Sequence, residues 1–291
     1  MKTLQELKAC MEARGMTGFF RVAGPQARNA VLLRPQVREE DGIPLGASKL
    51  GGDPDLPAEL PWPRREGSDL PLSFLGQLNL AEVHPWDQAG ELPERGMLYF
   101  FYDCSEDGMP WGFDPEDRDG HRVCFYDGNA PLERRTPPED LEQDGNGLLF
   151  DSAALSFDSE IELPNPESDV LDLSGISEEE MDRYWDYVEE TEDDAGSKLL
   201  GHSDNIQGGM EHECAAAAGG IYMGGGPACE QAARDSGAER EALQWKLLMQ
   251  LDSHDDLGMM WGDLGKLYIW IREEDLARRD FGRTWLILQC T

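Results

Sequence analysis

The clearest alternation of apolar and polar positions runs from Trp245 to Ile271, WKLLMQLDSHDDLGMMWGDLGKLYIWI, and reads as strand, loop and strand. Trp245, Leu247, Met249 and Leu251 fall on one side of an extended segment, with Lys246, Leu248, Gln250 and Asp252 on the other. Beyond an acidic loop relaxed by Gly258, Gly262 and Gly265, Leu267, Ile269 and Ile271 alternate with Lys266, Tyr268 and Trp270. A helical reading of residues 241–249 competes, because Leu243 and Leu247 also share a helix face.

Other segments carry similar signals. Thr3 with Glu6 forms a capping box ahead of an apolar stripe at Leu4, Leu7 and Met11, which predicts a helix to about Arg14, stopped by Gly15. Residues 19–22 and 30–34 read as short strands around Gly24 and Pro25. The stretch from Ser48 to Leu72 holds too many prolines and glycines for a regular helix or central strand, and predicts an irregular wrap that carries Trp62 into a groove. Residues 72–80, 96–102 and 123–126 alternate as strands. Ser177 and Glu180 cap a predicted helix whose stripe is Met181, Tyr184, Trp185 and Val188, with loops on either side. Residues 228–243 read as helix with a weak point at Gly237, residues 273–280 as a short helix, and residues 284–289 as the last strand.

Three of these segments recur in order. Ser48-Lys49-Leu50 resembles Ser197-Lys198-Leu199, residues 72–79 line up with 245–252 so that Gln77 matches Gln250, and Gly96-Met97-Leu98-Tyr99 resembles Gly265-Lys266-Leu267-Tyr268. The expected architecture is therefore α+β: mainly antiparallel sheet built from an internally duplicated β unit, with covering helices. A single domain over residues 1–291 would contain the copies at about 45–150 and 195–291, joined by the acidic segment 151–196.

Charge changes the functional picture. The formal net charge of −34 repels nucleic acid and anionic membranes, so an electrostatic partner would be a basic one. Residues 151–196 hold 17 acidic side chains against Arg183 alone, and residues 103–119 hold seven against Arg118. No apolar run approaches the roughly 20 residues that span a bilayer. The six cysteines are scattered without a CxxC pair, and MKTLQELKACMEARG is an amphipathic, charge-broken opening unlike a signal peptide, which implies reduced thiols in a cytoplasmic protein.

Candidate chemistry is sparse. Asp252, Asp255, Asp256 and Asp263 would offer oxygen ligands to a hard cation, but their spacing is not that of an EF-hand. His202, His212, Cys214 and Cys229 match no zinc spacing, and Gly224–Pro227 lacks the lysine of a phosphate loop. No catalytic residue, metal or cofactor is expected. Gln77, Asn79, Gln250, Asp252, Trp261 and Asp263 are the candidate binding groups of a cleft, with structural hydrogen bonding of the two glutamines as the competing reading.

The motifs SKLGG, LPWP, FLGQLNL, LPERGMLYFF, KLLGH, IQGGM, LMQLDS, MMWGDLGKLYIWI and the closing ILQC resemble those of the YwqG-like proteins over nearly the whole chain from Leu45 onward. The resemblance implies a bacterial, intracellular α+β protein whose domain has no known function and no established catalytic residues. His202-Ser203 stands where such proteins commonly carry Tyr-Pro. Charge and sparse chemistry together point to a non-enzymatic, immunity-like interaction protein that meets a basic partner through Glu178, Glu179, Asp182 and Asp186. The alternative is a small-ligand-binding or hydrolytic protein using a cleft near Gln250, Asp252, Trp261 and Asp263.

Overall fold

Helices at the N-terminus follow from their caps and stripes. Thr3 closes both halves of a capping box with Glu6, and α1 (Leu4–Ala13) buries Leu7 and Met11. The segment read as a strand at 19–22 is instead α2 (Thr17–Ala23), because Phe19 and Ala23, four apart, bury one side of a helix turn. A computed structural model describes residues 3–105, 108–141, 145–191 and 196–291 of the chain. Within it follow β1 (Arg28–Val37), β2 (Lys49–Leu50), β3 (Asp55–Pro57), β4 (Ser73–Asn79), α3 (Leu80–Val83), β5 (Met97–Tyr102), β6 (His121–Tyr126) and β7 (Leu132–Arg134). Then come β8 (Ala153–Glu162), α4 (Glu178–Thr191), β9 (Lys198–Leu200), α5 (Glu211–Ala218), α6 (Pro227–Ser236), α7 (Ala238–Ala242), β10 (Trp245–Asp252), β11 (Lys266–Arg272), α8 (Glu273–Ala277) and β12 (Thr284–Gln289).

Among the described residues, ten strands form one sheet in the order β12-β11-β10-β9-β1-β8-β2-β4-β5-β6, and every adjacent pair is antiparallel. Strands β3 and β7 make a separate pair. The sheet curls until its ends nearly meet. His121 Nε2 of β6 lies 3.0 Å from Thr284 Oγ1 of β12, and Trp285 Nε1 donates to the Gly112 carbonyl at 2.8 Å. The fold is thus a mixed one, helices around a nearly closed, barrel-like antiparallel sheet.

Other expectations need correction. The acidic segment supplies more than loops and a helix: β8 pairs with β1 over ten residues at the centre of the sheet. The proline-rich wrap also contributes a central strand, since β2 sits between β8 and β4. Residues 241–249 are not one helix, because α7 ends at Ala242 and β10 begins at Trp245.

The barrel interior holds Leu33, Leu78, Phe100, Leu251, Trp261, Ile269 and Leu288 in one cluster. Outside, α5, α6 and α7 cover Trp245, Leu247, Tyr268 and Trp270, and α1, α2 and α4 enclose Phe19 and Tyr184. Trp245, Leu247, Met249 and Leu251 therefore do not share a face. A bulge between Leu247 and Met249 shifts the phase, so the first two meet the helices and the last two the interior. Strand β4 has the same irregularity between Phe74 and Gly76. Among the described residues, no helix is long and apolar enough to cross a membrane.

Candidate functional site

Each bulge lies just before a glutamine, and each glutamine is turned to the outer face of the sheet, where it pairs with a tyrosine: Gln77 with Tyr99 and Gln250 with Tyr268. Both amides are fully buried and fully used. Gln77 Oε1 accepts from the Asp55 backbone N–H, and its Nε2 donates to Asp55 Oδ2 and the Ala47 carbonyl, each at 2.8 Å. Gln250 Oε1 accepts from the Asp204 backbone N–H at 2.9 Å, and its Nε2 donates to Asp204 Oδ2 at 2.6 Å and the Gly196 carbonyl at 2.5 Å. Tyr99 donates to the carbonyl of Asp55 and Tyr268 to that of Asp204.

The correspondence extends to buried lysines. Lys49 Nζ meets Glu40 Oε1 at 2.5 Å, and Lys198 Nζ meets Glu162 Oε1 at 2.9 Å. The second oxygen of each glutamate accepts a backbone N–H four residues past the lysine, from Asp53 and from His202. Ser48 Oγ accepts the Asn79 N–H and Ser197 Oγ that of Asp252. Unpaired, such groups would cost about 1–3 kcal/mol each, so both networks fix the loops over the sheet.

The networks differ at their aspartates. Asp55 is sealed, with a side chain 0% exposed, because Arg134 donates from Nε to Asp55 Oδ1 at 2.9 Å and from its terminal nitrogens to the carbonyls of Glu40 and Ile43. The Asp204 side chain is 45% exposed and opens into a cavity of about 310 Å³. Tyr184, Trp185 and Tyr187 of α4 wall the cavity on one side, and Glu162, Lys198 and Lys266 line it with Asp204. Burial raises the Glu162 carboxyl to about 7 against the pull of Lys198. Burial works the other way on Lys198, but Asp204 and Glu162 outweigh it and hold the ammonium charged. The His202 imidazole is pushed down to about 3 by burial and by Arg28, and its Nε2 sits 2.7 Å from the Gln26 carbonyl.

The other predicted binding groups are placed apart. Asn79 caps α3 through Oδ1 and donates from Nδ2 to the Gly46 carbonyl. Asp252 accepts from Ser253 N and lies 3.9 Å from Lys266. Trp261 is sealed in the barrel interior, its ring against Tyr102 and Phe150. Asp263 is exposed, and its carbonyl accepts from Thr291. Among the described residues, no three His, Cys, Asp or Glu side chains converge as metal ligands. Cys214 is buried in α5 within the outer helical cluster, and His202 meets the Gln26 carbonyl. Glu178, Glu179, Asp182 and Asp186 are all exposed on α4. Of the two acidic stretches, residues 106–107 and 192–195 lie outside the described residues.

Glu162, Lys198 and Asp204 were not singled out from the sequence, although a signal existed. Each Ser-Lys-Leu is followed by an aspartate six residues after its lysine, Asp55 after Lys49 and Asp204 after Lys198.

The family described as "Domain of unknown function (DUF1963)" matches residues 48–290. The chain belongs to this family. The DUF1963 match takes in Lys49, Asp55, Gln77 and Tyr99 together with Lys198, Asp204, Gln250 and Tyr268, whereas Glu40 lies upstream of it. No curated protein matches the chain.

Proposed function

We propose that this DUF1963 protein is a non-enzymatic, immunity-like interaction protein of the cytoplasm that binds a basic partner across α4. The observation that carries the reading is the division of that helix. Tyr184 and Tyr187 are buried against the N-terminal helices, while Glu178, Glu179, Asp182 and Asp186 all face solvent. Fixed carboxylates on a packed helix raise a local negative potential without moving, which speeds encounter with a cation-rich surface more than it tightens the complex. The six cysteines are all free thiols, in keeping with a reducing compartment.

Pull-down from the native host, followed by stopped-flow kinetics, tests this. Changing Glu178, Glu179, Asp182 and Asp186 together to neutral amides should preserve the fold and slow association about tenfold, with a smaller effect on dissociation. Association that ignores both salt and this quadruple change would overturn the docking face. The second reading, a small-ligand-binding protein, draws on the cavity beside Asp204, the hydrogen-bond partner of Gln250. Its hydrolytic form would use Ser197, whose Oγ is 2.8 Å from His254 Nε2 but already accepts the Asp252 N–H.

The matched networks also support an internal duplication, in which β1 corresponds to β8, and β2, β4, β5 and β6 to β9, β10, β11 and β12. The quoted motifs favour a bacterial, YwqG-like branch of the family.

A further inference from the structure

Glu40 and Asp55 share two cations of the chain itself: the ammonium of Lys49 and the guanidinium of Arg134, whose Nε lies 3.0 Å from Glu40 Oε1 and 2.9 Å from Asp55 Oδ1. Arg134 reaches that place from β7, which pairs with β3 so that Arg134 stands opposite Asp55. Glu162 and Asp204 repeat the acid pair and Lys198 repeats the ammonium, each making the corresponding contacts. Among the described residues, no strand pairs with residues 204–206 and no arginine donates to Asp204. Where Arg134 fills the first network, the second opens into the cavity.

We propose that this cavity binds a guanidinium group, seated between Asp204 and Glu162 as Arg134 is seated between Asp55 and Glu40. The walls suit that chemistry. Among its described lining residues, four carboxylates outnumber three cationic side chains. Trp185, half-buried at the wall, presents an aromatic ring, on which a guanidinium stacks as a compact ammonium does not. A planar fork of donors can engage a carboxylate and backbone carbonyls at once, as Arg134 does. Asn205 Nδ2, which is buried without a partner among the described residues, offers a donor to a carbonyl on the same ligand. A cavity of about 310 Å³ sits at the small end of ligand sites and has room for an arginine side chain with its stem. In its macromolecular form, an arginine presented by a basic partner, the site rests on the interaction reading above; as a site for a free guanidino compound it does not.

The test is titration of the full chain, by calorimetry and by tryptophan fluorescence, with Nα-acetyl-arginine amide and with its neutral isostere Nα-acetyl-citrulline amide. Saturable binding of the arginine compound is expected, with the citrulline compound at least about tenfold weaker for want of charge-assisted hydrogen bonds. Asp204→Asn should weaken binding by a similar factor. Because Asp204 also holds Lys198 and Gln250, Trp185→Ala provides a second variant that leaves the network intact, with an expected loss of about threefold. Agmatine and a Gly-Gly-Arg-Gly-Gly peptide distinguish the sources: tighter binding of the peptide assigns the site to a partner's arginine, tighter binding of agmatine to a free small molecule. No saturable binding of any guanidino compound, or equal binding of arginine and citrulline amides, would overturn the proposal. The quadruple amide change on the outer face of α4 should leave this titration unaltered, so failure of the docking face and failure of the cavity remain separable.

Discussion

His121 is buried at the seam where β6 meets β12, and its environment sets a pH dependence of stability. Burial, aided by the nearby Arg122, lowers its pKa from 6.5 to about 3. The folded protein thus holds a neutral ring where the unfolded chain would bind a proton. The stability associated with it is fully present above pH 6.5 and is lost as pH falls toward 3. His121→Gln keeps a polar partner for Thr284 but removes this titration. The stability of the native protein relative to H121Q should fall by about 1.4 kcal/mol for each pH unit below 6.5. Urea midpoints at pH 7, 6 and 5 measure it, and parallel curves for the two proteins would mean that the ring is protonated in the fold. Glu162 and Glu213, both raised to about 7 by burial, have the opposite slope but contribute equally to both proteins.

At the scale of elements, α4 is held by one aromatic residue more than by its neighbour. Tyr184 is buried and stacks on Phe19 at a centroid distance of 3.8 Å, whereas Trp185 is only half-buried at the cavity wall. The stripe of Met181, Tyr184, Trp185 and Val188 is visible in the sequence, but the helix is rotated so that Tyr187 takes the buried place expected of Trp185. Tyr184→Ala should cost about 3–5 kcal/mol, as loss of a buried aromatic does, and Trp185→Ala only about 1–2 kcal/mol. Chemical denaturation of both variants checks the order. A larger loss for Trp185 would place the helix in a different rotation.

For the whole molecule, a net charge of −34 on 291 residues is a self-repulsion that salt relieves. The buried lysines Lys49 and Lys198 are each paired and screened little by solvent, so the surface carboxylates dominate the response. Raising the salt from about 10 mM to about 150 mM shortens the screening length from roughly 30 Å to 8 Å and should raise Tm by about 2–6 °C. A Tm that falls with salt would show that attractive surface pairs outweigh repulsion.

Local pattern alone was enough for the N-terminal capping box, for β4, β5, β10, β11 and β12, and for α4, because each depends on alternation, helical spacing or caps within a dozen residues. The likeness of the motifs around Gln77 and Gln250 was likewise visible in the sequence, and each glutamine stands opposite a tyrosine, Tyr99 and Tyr268. Three things needed the tertiary structure. Strand β8 was hidden in an acidic stretch, where Asp158, Glu160 and Glu162 masked the alternation of Leu155, Phe157 and Ile161. The bulges at Leu247 and Phe74 reverse the strand phase, which no periodicity announces because the partner strand decides where the extra residue sits. The contrast between a sealed Asp55 and an open Asp204 depends on Arg134, a residue 79 positions from Asp55 that only the pairing of β3 with β7 brings into place.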